Sequence, residues 1–267
     1  MSSNTASLRS DNLLAIDAGN TRTKWALFNA AAEILSQGVC TNIDLALAEF
    51  LPKNTICNHA IIANVAGAEV AQVLAEKCQG LGLTITWAKS SSRACGVTNN
   101  YDHPSQLGVD RWAAIIAAWQ HYQSPCIVVS LGTAATIDAL APNKDGAEFL
   151  GGIILPGLNL LQQTLVNGTH DIAIGVASQA GKVTHFATNT ADAVYTGACL
   201  AIIGAIAEMV EKLQAQSEQV MIVLSGGDAR VLMPLLALKF NTDSVKRVVL
   251  HDNLVLLGLY LLESEQV

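Results

Sequence analysis

Three short stretches of this 267-residue chain combine glycine with small hydroxyl residues in a way suited to holding an anion. The first is Asp17-Ala18-Gly19-Asn20-Thr21-Arg22-Thr23-Lys24. A glycine in a hairpin turn lets backbone N–H groups converge on a phosphate with no side chain in the way. Asn20 and Thr21 add polar donors and Lys24 a positive charge, while Asp17 suits a Mg²⁺ ion held through water. Taken alone, an ordinary hairpin with a polar turn accounts for these residues equally well. The second stretch is Gly132-Thr133-Ala134-Ala135-Thr136, following the apolar run 127–129 and Ser130. It is weak alone, but two such hairpins facing one cleft would grip a chain of phosphates from both sides. The third, Ser225-Gly226-Gly227-Asp228, leaves room for a flat group before a helix whose N-terminus favours anions. It reads just as well as a plain strand-to-helix loop. Asp110 and Arg111 offer different chemistry, a proton acceptor beside a guanidinium suited to planar or anionic partners. In isolation that pair reads as the start of a helix with an exposed ion pair.

These residues need elements to hold them. Hydrophobic patterning predicts strands over residues 13–16, 24–28 and 33–39, a short helix over 44–51, a buried strand over 57–65, a helix over 68–79 and a strand over 83–87, then a polar loop through 90–93. The second half is expected to begin near residue 110, with a helix over 110–122 and a strand over 126–130 leading into the Gly132-Thr133 turn. Strand 148–155 and a helix opened by Pro156 follow, then a long apolar helix over 190–214. Strand 220–224, helix 229–238, strand 248–251 and helix 254–262 close the pattern. The order is three strands and then alternating helix and strand, given twice. It predicts a duplicated α/β protein with a cleft between its halves, divided into 13–109 and 110–267 after a disordered lead-in over 1–12.

Composition narrows the function classes. Apolar residues make up 51% and charged residues 14%, so the core can be large. Fifteen Lys and Arg against 22 Asp and Glu give a net charge of −7, which argues against general binding to nucleic acid or an anionic membrane. The uncharged stretch between Glu148 and Asp171 carries too many Gly, Pro, Asn and Gln residues for a lipid-facing helix and is expected to be a buried loop and helix. Residues 1–12 lack the apolar centre of a signal peptide. Cys40, Cys57, Cys78, Cys95, Cys126 and Cys199 form no CxxC pair and have no His at ligand spacing, so they read as buried, reduced thiols of a cytoplasmic protein. His103 reads as a solvated loop residue, and Trp112 and Trp119, seven apart, as core. The helix over 190–209 has more apolar surface than a solvated helix carries, so part of it is expected to meet a second copy in a homodimer.

DAGNTRTKWALF, YDHPSQLGVDRW, SLGTAATID and GGIILPG, in this order and spacing, resemble type III pantothenate kinases over about residues 13–262. The resemblance implies the fold of the actin-like ATPase and sugar-kinase superfamily, with two duplicated ribonuclease H-like domains and a central cleft. It implies ATP-dependent phosphorylation of pantothenate to 4′-phosphopantothenate, the first step of coenzyme A biosynthesis. By the same resemblance, residues 17–24 match the first phosphate motif and Thr133 the ATP-contacting threonine of the second. Tyr101, Gly108, Val109, Asp110 and Arg111 match the pantothenate-binding residues, with Asp110 as catalytic base. Thr190 matches the threonine that touches pantothenate across a dimer interface.

One position departs from the pattern. Family members often carry Asp before the second turn, tied to a monovalent cation such as K⁺ or NH₄⁺, and this chain has Ser130 there. A neutral hydroxyl is a far poorer partner for K⁺, so dependence on the ion is in question. Asp138, after the turn, reads as a metal-proximal or a structural carboxylate, with the structural reading favoured. The rival readings are a non-catalytic accessory protein, against which Asp110 and both turns count, and a sugar or acetate kinase, against which the GVDR block and the short length count.

Overall fold

The computed structural model describes residues 11–177, 179–240 and 245–265. The lead-in expected over 1–12 lies outside the described residues, apart from Asp11 and Asn12. In chain order the elements are β1 (Leu13–Ala18), β2 (Arg22–Phe28), β3 (Ile34–Thr41), β4 (His59–Asn64), α1 (Ala68–Gly80), β5 (Thr84–Trp87), β6 (Arg93–Ala94), β7 (Val97–Asn99) and α2 (Val109–Tyr122). They continue with β8 (Cys126–Leu131), β9 (Ala134–Asn143), β10 (Gly146–Pro156), α3 (Leu158–Gly168), α4 (His170–Ala177), α5 (Thr190–Gln214), β11 (Val220–Ser225), α6 (Ala229–Lys239), β12 (Val245–Leu250) and α7 (Leu254–Glu265).

The chain forms two compact units. Unit one is built on a five-stranded sheet in the order β3-β2-β1-β4-β5, antiparallel through β3, β2 and β1 and parallel through β1, β4 and β5. As the middle strand, β1 is buried on both faces, which is why Leu13 to Ile16 is a continuous apolar run rather than an alternating one. Leu14 and Ile16 join Trp25, Leu74 and Cys78 in one core. The other face carries α7, which packs against β1, β2, β4 and α2. Tyr260 of α7 stacks on Phe28, with ring centroids 5.1 Å apart, and its hydroxyl donates to the carbonyl of Ala30 at 3.1 Å.

Unit two repeats the plan, with strands in the order β10-β9-β8-β11-β12 and β8, β11 and β12 parallel. Its core joins Val129, Ile137, Ile202, Ile206, Ile222 and Leu232. The fold is that of duplicated ribonuclease H-like domains. α5 is the one described helix long and apolar enough to cross a membrane, and 44% of its most apolar window is buried within the chain. Both tryptophans of α2 are core residues.

Several expectations are corrected. The division at 109/110 is replaced by unit one over Met1–Gln123, Pro142–Phe149 and Asn253–Val267, and unit two over Ser124–Ala141 and Leu150–Asp252. The reason is packing: α2 and the late helix α7 pack together, α7 against β1 and α2 against β4, and β10 begins by pairing with β7. The helix expected over 44–51 is one 3-10 turn, Leu45–Leu47. Leu45 and Phe50 both enter the core, and a spacing of five does not put two residues on one helix face. Arg93, read as the end of a loop, opens β6, and β7 follows in a stretch given no element by the patterning. Pro156 ends β10 instead of opening a helix, and Gly157 caps α3. The stretch 148–171 is not buried as expected, since Ile153, Ile154, Leu160 and Leu165 are exposed.

The α2–α7 contact depends on a missing side chain. A Cβ on Gly258 would lie 1.9 Å from the carbonyl oxygen of Ala113. We expect Gly258→Ala to cost about 2–4 kcal/mol by forcing the two helices apart; chemical denaturation within 0.5 kcal/mol of wild type, roughly the surface-substitution range, would contradict this.

Candidate active site

The anion-binding candidate of unit one lies where β1 ends and β2 begins. The ladder pairs Asp17 with Lys24 and Ala18 with Thr23, and the amide of Gly19 donates to the carbonyl of Arg22 at 3.1 Å. Asn20 and Thr21 are thus the two loop residues of a tight hairpin, and with Arg22 they are exposed. Ala18 and Thr23 are fully buried. Thr23, carried over as a nucleotide contact, instead donates its hydroxyl to Asn42 at 2.9 Å. Asn42, just past β3, also donates to the carbonyls of Gly19 at 2.8 Å and Asn20 at 3.1 Å.

Asp17 is half-buried at the mouth of this turn. Loss of solvation pushes its carboxyl up to about 7, the negative charge of Asp110 adds to the rise, and Lys24 partly offsets it. The two acids, 93 positions apart in sequence (110 − 17), are therefore within electrostatic reach of each other.

Asp110 sits in the first turn of α2, where a helix favours negative charge. Its Oδ1 accepts the amide of Arg111 at 2.9 Å. Gly108, the N-cap, has an ordinary negative φ, so conformational freedom is not what requires glycine here. Space is: a Cβ there would stand 2.7 Å from Asp110 Oδ1.

Arg111 is buried. Its Nη1 donates to the Tyr101 hydroxyl at 2.8 Å, and its guanidinium lies over the rings of Tyr101 and Phe149, 5.6 and 5.9 Å from their centroids. The two rings are themselves 5.4 Å apart. Tyr101 is placed by Asn99, whose Oδ1 accepts the Tyr101 amide at 3.1 Å and whose Nδ2 donates to the carbonyls of Ser91 and Pro104. Tyr101, Gly108, Asp110 and Arg111 therefore form one constellation in unit one, with buried Val109 behind them.

Unit two holds the other candidates. The turn at Gly132-Thr133 leaves Thr133 exposed, and two further glycines close on it. A Cβ on Gly157 would lie 1.9 Å from the Gly132 carbonyl, and one on Gly226, whose φ is +98°, would lie 2.2 Å from that of Leu131. The amides of Gly157 and Asp228 donate to the carbonyls of Thr133 and Leu131. The second and third glycine motifs are thus one backbone cluster. Ser130 pairs with Thr136 on one side and Ser225 on the other, so the ends of β8, β9 and β11 bring hydroxyls together, with Asp138 buried further along β9. Thr190 opens α5, capped by Asn189, and lines a concavity of about 570 Å³ with Ile172, Ala187, Thr188 and Val194.

Comparison with known proteins gives the family. The family model for type III pantothenate kinase matches residues 13–212. The chain belongs to the type III pantothenate kinase family. A relative of that name from Methylobacillus flagellatus is 45% identical over 254 residues, covering 94% of this chain and 97% of its own. One from Nitrosospira multiformis is 40% identical, covering 95% and 91%. Among solved structures, a Campylobacter jejuni protein described as a Baf family transcriptional activator aligns over 95% of this chain and 98% of its own, with a TM-score of 0.56 at 16% identity. A Sinorhizobium meliloti protein described as a 2-dehydro-3-deoxygalactonokinase covers 93% and 97% with a TM-score of 0.53 at 15% identity. At these identities the structural likeness speaks for the fold alone.

Three residues around the kinase's site escaped sequence reading. Phe149 looks like any core aromatic in a strand, and Asn42 and Asn99 like polar loop residues. Only the Asn99-Asn100-Tyr101 string offered a signal, because Asn side chains often hold a turn.

The raised Asp17 has a thermodynamic consequence. Between its ordinary value of 3.8 and about 7 the folded protein binds a proton that the unfolded chain has released. Stability of the ligand-free protein therefore falls as pH rises through that window. Allowing for the partial exposure of the side chain, Asp17→Asn should add nothing at pH 4 and about 2 kcal/mol at pH 8. Urea denaturation at pH 4, 6 and 8 tests this, and a gain independent of pH would contradict it.

Proposed function

We propose that this kinase transfers the γ-phosphoryl group of ATP to the 4′-hydroxyl of pantothenate with Asp110 accepting the hydroxyl proton. The observation that carries the assignment is that one unit holds this acid, fixed at a helix start, within electrostatic reach of the acid of the phosphate turn. The substrate oxygen forms its bond to the γ-phosphorus as the bond from phosphorus to the β,γ-bridging oxygen breaks. ADP leaves with the electron pair of the broken bond. A carboxylate anchored by the Arg111 amide keeps its orientation while it takes the proton, and such a base contributes about 10²–10⁴-fold.

Residues 17–24 hold the nucleotide's phosphates through backbone N–H groups and the charge of Lys24, and Thr133 of the second glycine turn is read as a further ATP contact. Mg²⁺ fits this site through Asp17. Among the described residues no three His, Cys, Asp or Glu side chains gather as a cage, which suits an ion that keeps water and phosphate oxygens as ligands. When bound, it neutralises charge on the phosphates. A cation also relieves the repulsion between Asp17 and Asp110 that raises Asp17.

The buried guanidinium of Arg111, with the Tyr101 hydroxyl, binds the polar end of pantothenate. Thr190 completes the substrate site from the second subunit of a homodimer. Its place in a concavity supports this, as do the exposed Phe186, Ile154, Ile174 and Leu200 of the same unit, apolar surface of the kind a second copy covers. The kinase acts in the cytoplasm, consistent with its free cysteines.

Asp110→Asn keeps the shape of the side chain and removes the proton acceptor. Turnover of pantothenate should fall about 10²–10⁴-fold with the KM for ATP near wild type, and unchanged kcat would refute the base assignment. With Ser130 in place of a carboxylate near the end of β8, K⁺ should stimulate the wild type weakly. Ser130→Asp should raise the response to K⁺ or NH₄⁺ in the same assay; an unaltered salt profile would remove Ser130 as its cause.

A further inference from the structure

We propose that Asn42 is a positioning residue of the phosphate turn, setting the peptide planes whose N–H groups receive the phosphate. This rests on the reading of residues 17–24 as the ATP turn. Asn42 bonds to four of the five residues from Gly19 to Thr23. Its Nδ2 donates to the carbonyls of Gly19 at 2.8 Å and Asn20 at 3.1 Å, its Oδ1 accepts the Thr23 hydroxyl at 2.9 Å, and its backbone amide donates to the Thr21 carbonyl at 3.2 Å. A carboxamide nitrogen has two hydrogens, and each is used on a different carbonyl of the loop.

Peptide geometry turns this clasp into an orienting device. In a trans peptide the C=O and the N–H of the same plane point in opposite directions. The carbonyl of Gly19 shares its plane with the amide of Asn20, and that of Asn20 shares its plane with the amide of Thr21. Drawing both carbonyls toward Asn42 therefore turns the N–H groups of Asn20 and Thr21 to the opposite side of the hairpin. A carbonyl that accepts a hydrogen bond also polarises its own peptide and makes that N–H a better donor. Thr23 fixes the clasp in turn: fully buried, its hydroxyl occupies Oδ1 and so decides which end of the carboxamide faces the loop.

A purely structural tie between β3 and the hairpin would affect stability and both substrates alike, whereas an orienting role acts on the nucleotide alone. The test uses the full chain with Asn42→Ala and Asn42→Asp. The second variant keeps the shape and the bond from Thr23 but lacks the donor nitrogen. Binding of a non-hydrolysable ATP analogue is measured by calorimetry, KM is measured separately for ATP and pantothenate, and Tm is recorded. We expect the analogue Kd and the KM for ATP to rise about tenfold in both variants, with the KM for pantothenate within about twofold. Thr23→Val, which removes the hydroxyl that fixes the carboxamide, should also lose affinity for the analogue. An unchanged analogue Kd in Asn42→Asp, or equal losses for both substrates, overturns the proposal. Lys24→Ala separates the two levels. If it weakens analogue binding while the Asn42 variants do not, only the orienting role fails; if it too leaves binding intact, the turn is not the nucleotide site.

Discussion

Two half-buried acids that repel one another stand in unit one, and the packing around them holds them in place. Asp17 lies near the end of β1, the middle strand, which is buried on both faces, and Asp110 lies in the first turn of α2, a helix packed against α7. Neither can retreat without breaking packing. Gly108 leaves room for the Asp110 carboxylate, and Gly258 lets α7 hold α2 down on the sheet. Lys24, opposite Asp17 in the ladder, offsets only part of the repulsion. A site with a surplus of negative charge is an unfavourable resting state and a receptive one, because a cation carrying phosphates relieves it.

The two units meet their anion-binding task by different means. In unit one the loop is shaped by side chains, with Asn42 as a clasp and Thr23 as its lock. In unit two the corresponding turn is shaped by backbone against backbone, Gly157 and Gly226 allowing main chains to approach closer than any side chain permits. The same duplicated plan thus tolerates change differently in its halves. The first turn depends on hydrogen-bonding groups, the second on the absence of Cβ atoms.

Much of this was legible in the sequence. The order of strands and helices, the two hairpin turns and the GVDR block were readable because apolar runs and glycine-rich turns are local signals. The extent of α5, residues 190–214, was read to the residue since Asn189 caps one end and the apolar pattern lapses at the other. What escaped reading was non-local. Nothing near Asn42 says that the hairpin 20 positions earlier needs its carboxamide, and nothing near Phe149 announces a guanidinium stacked on its ring. The unit boundary was misplaced for the same reason: α7 follows unit two in sequence but packs on unit one.

That return of α7 sets an order of events during synthesis. β1, β2 and β4 emerge early from the ribosome with the apolar face that α7 covers, and α2 emerges without the helix it packs against. Everything from Ser124 through Asp252 must then be translated before α7 appears. At elongation speeds of roughly 5–20 residues per second, unit one waits on the order of ten seconds with an open face. The strands of β8 to β12 can meanwhile assemble. The later-encoded half is therefore the first able to finish folding, and the nascent first half is the natural client of a chaperone at the exit tunnel.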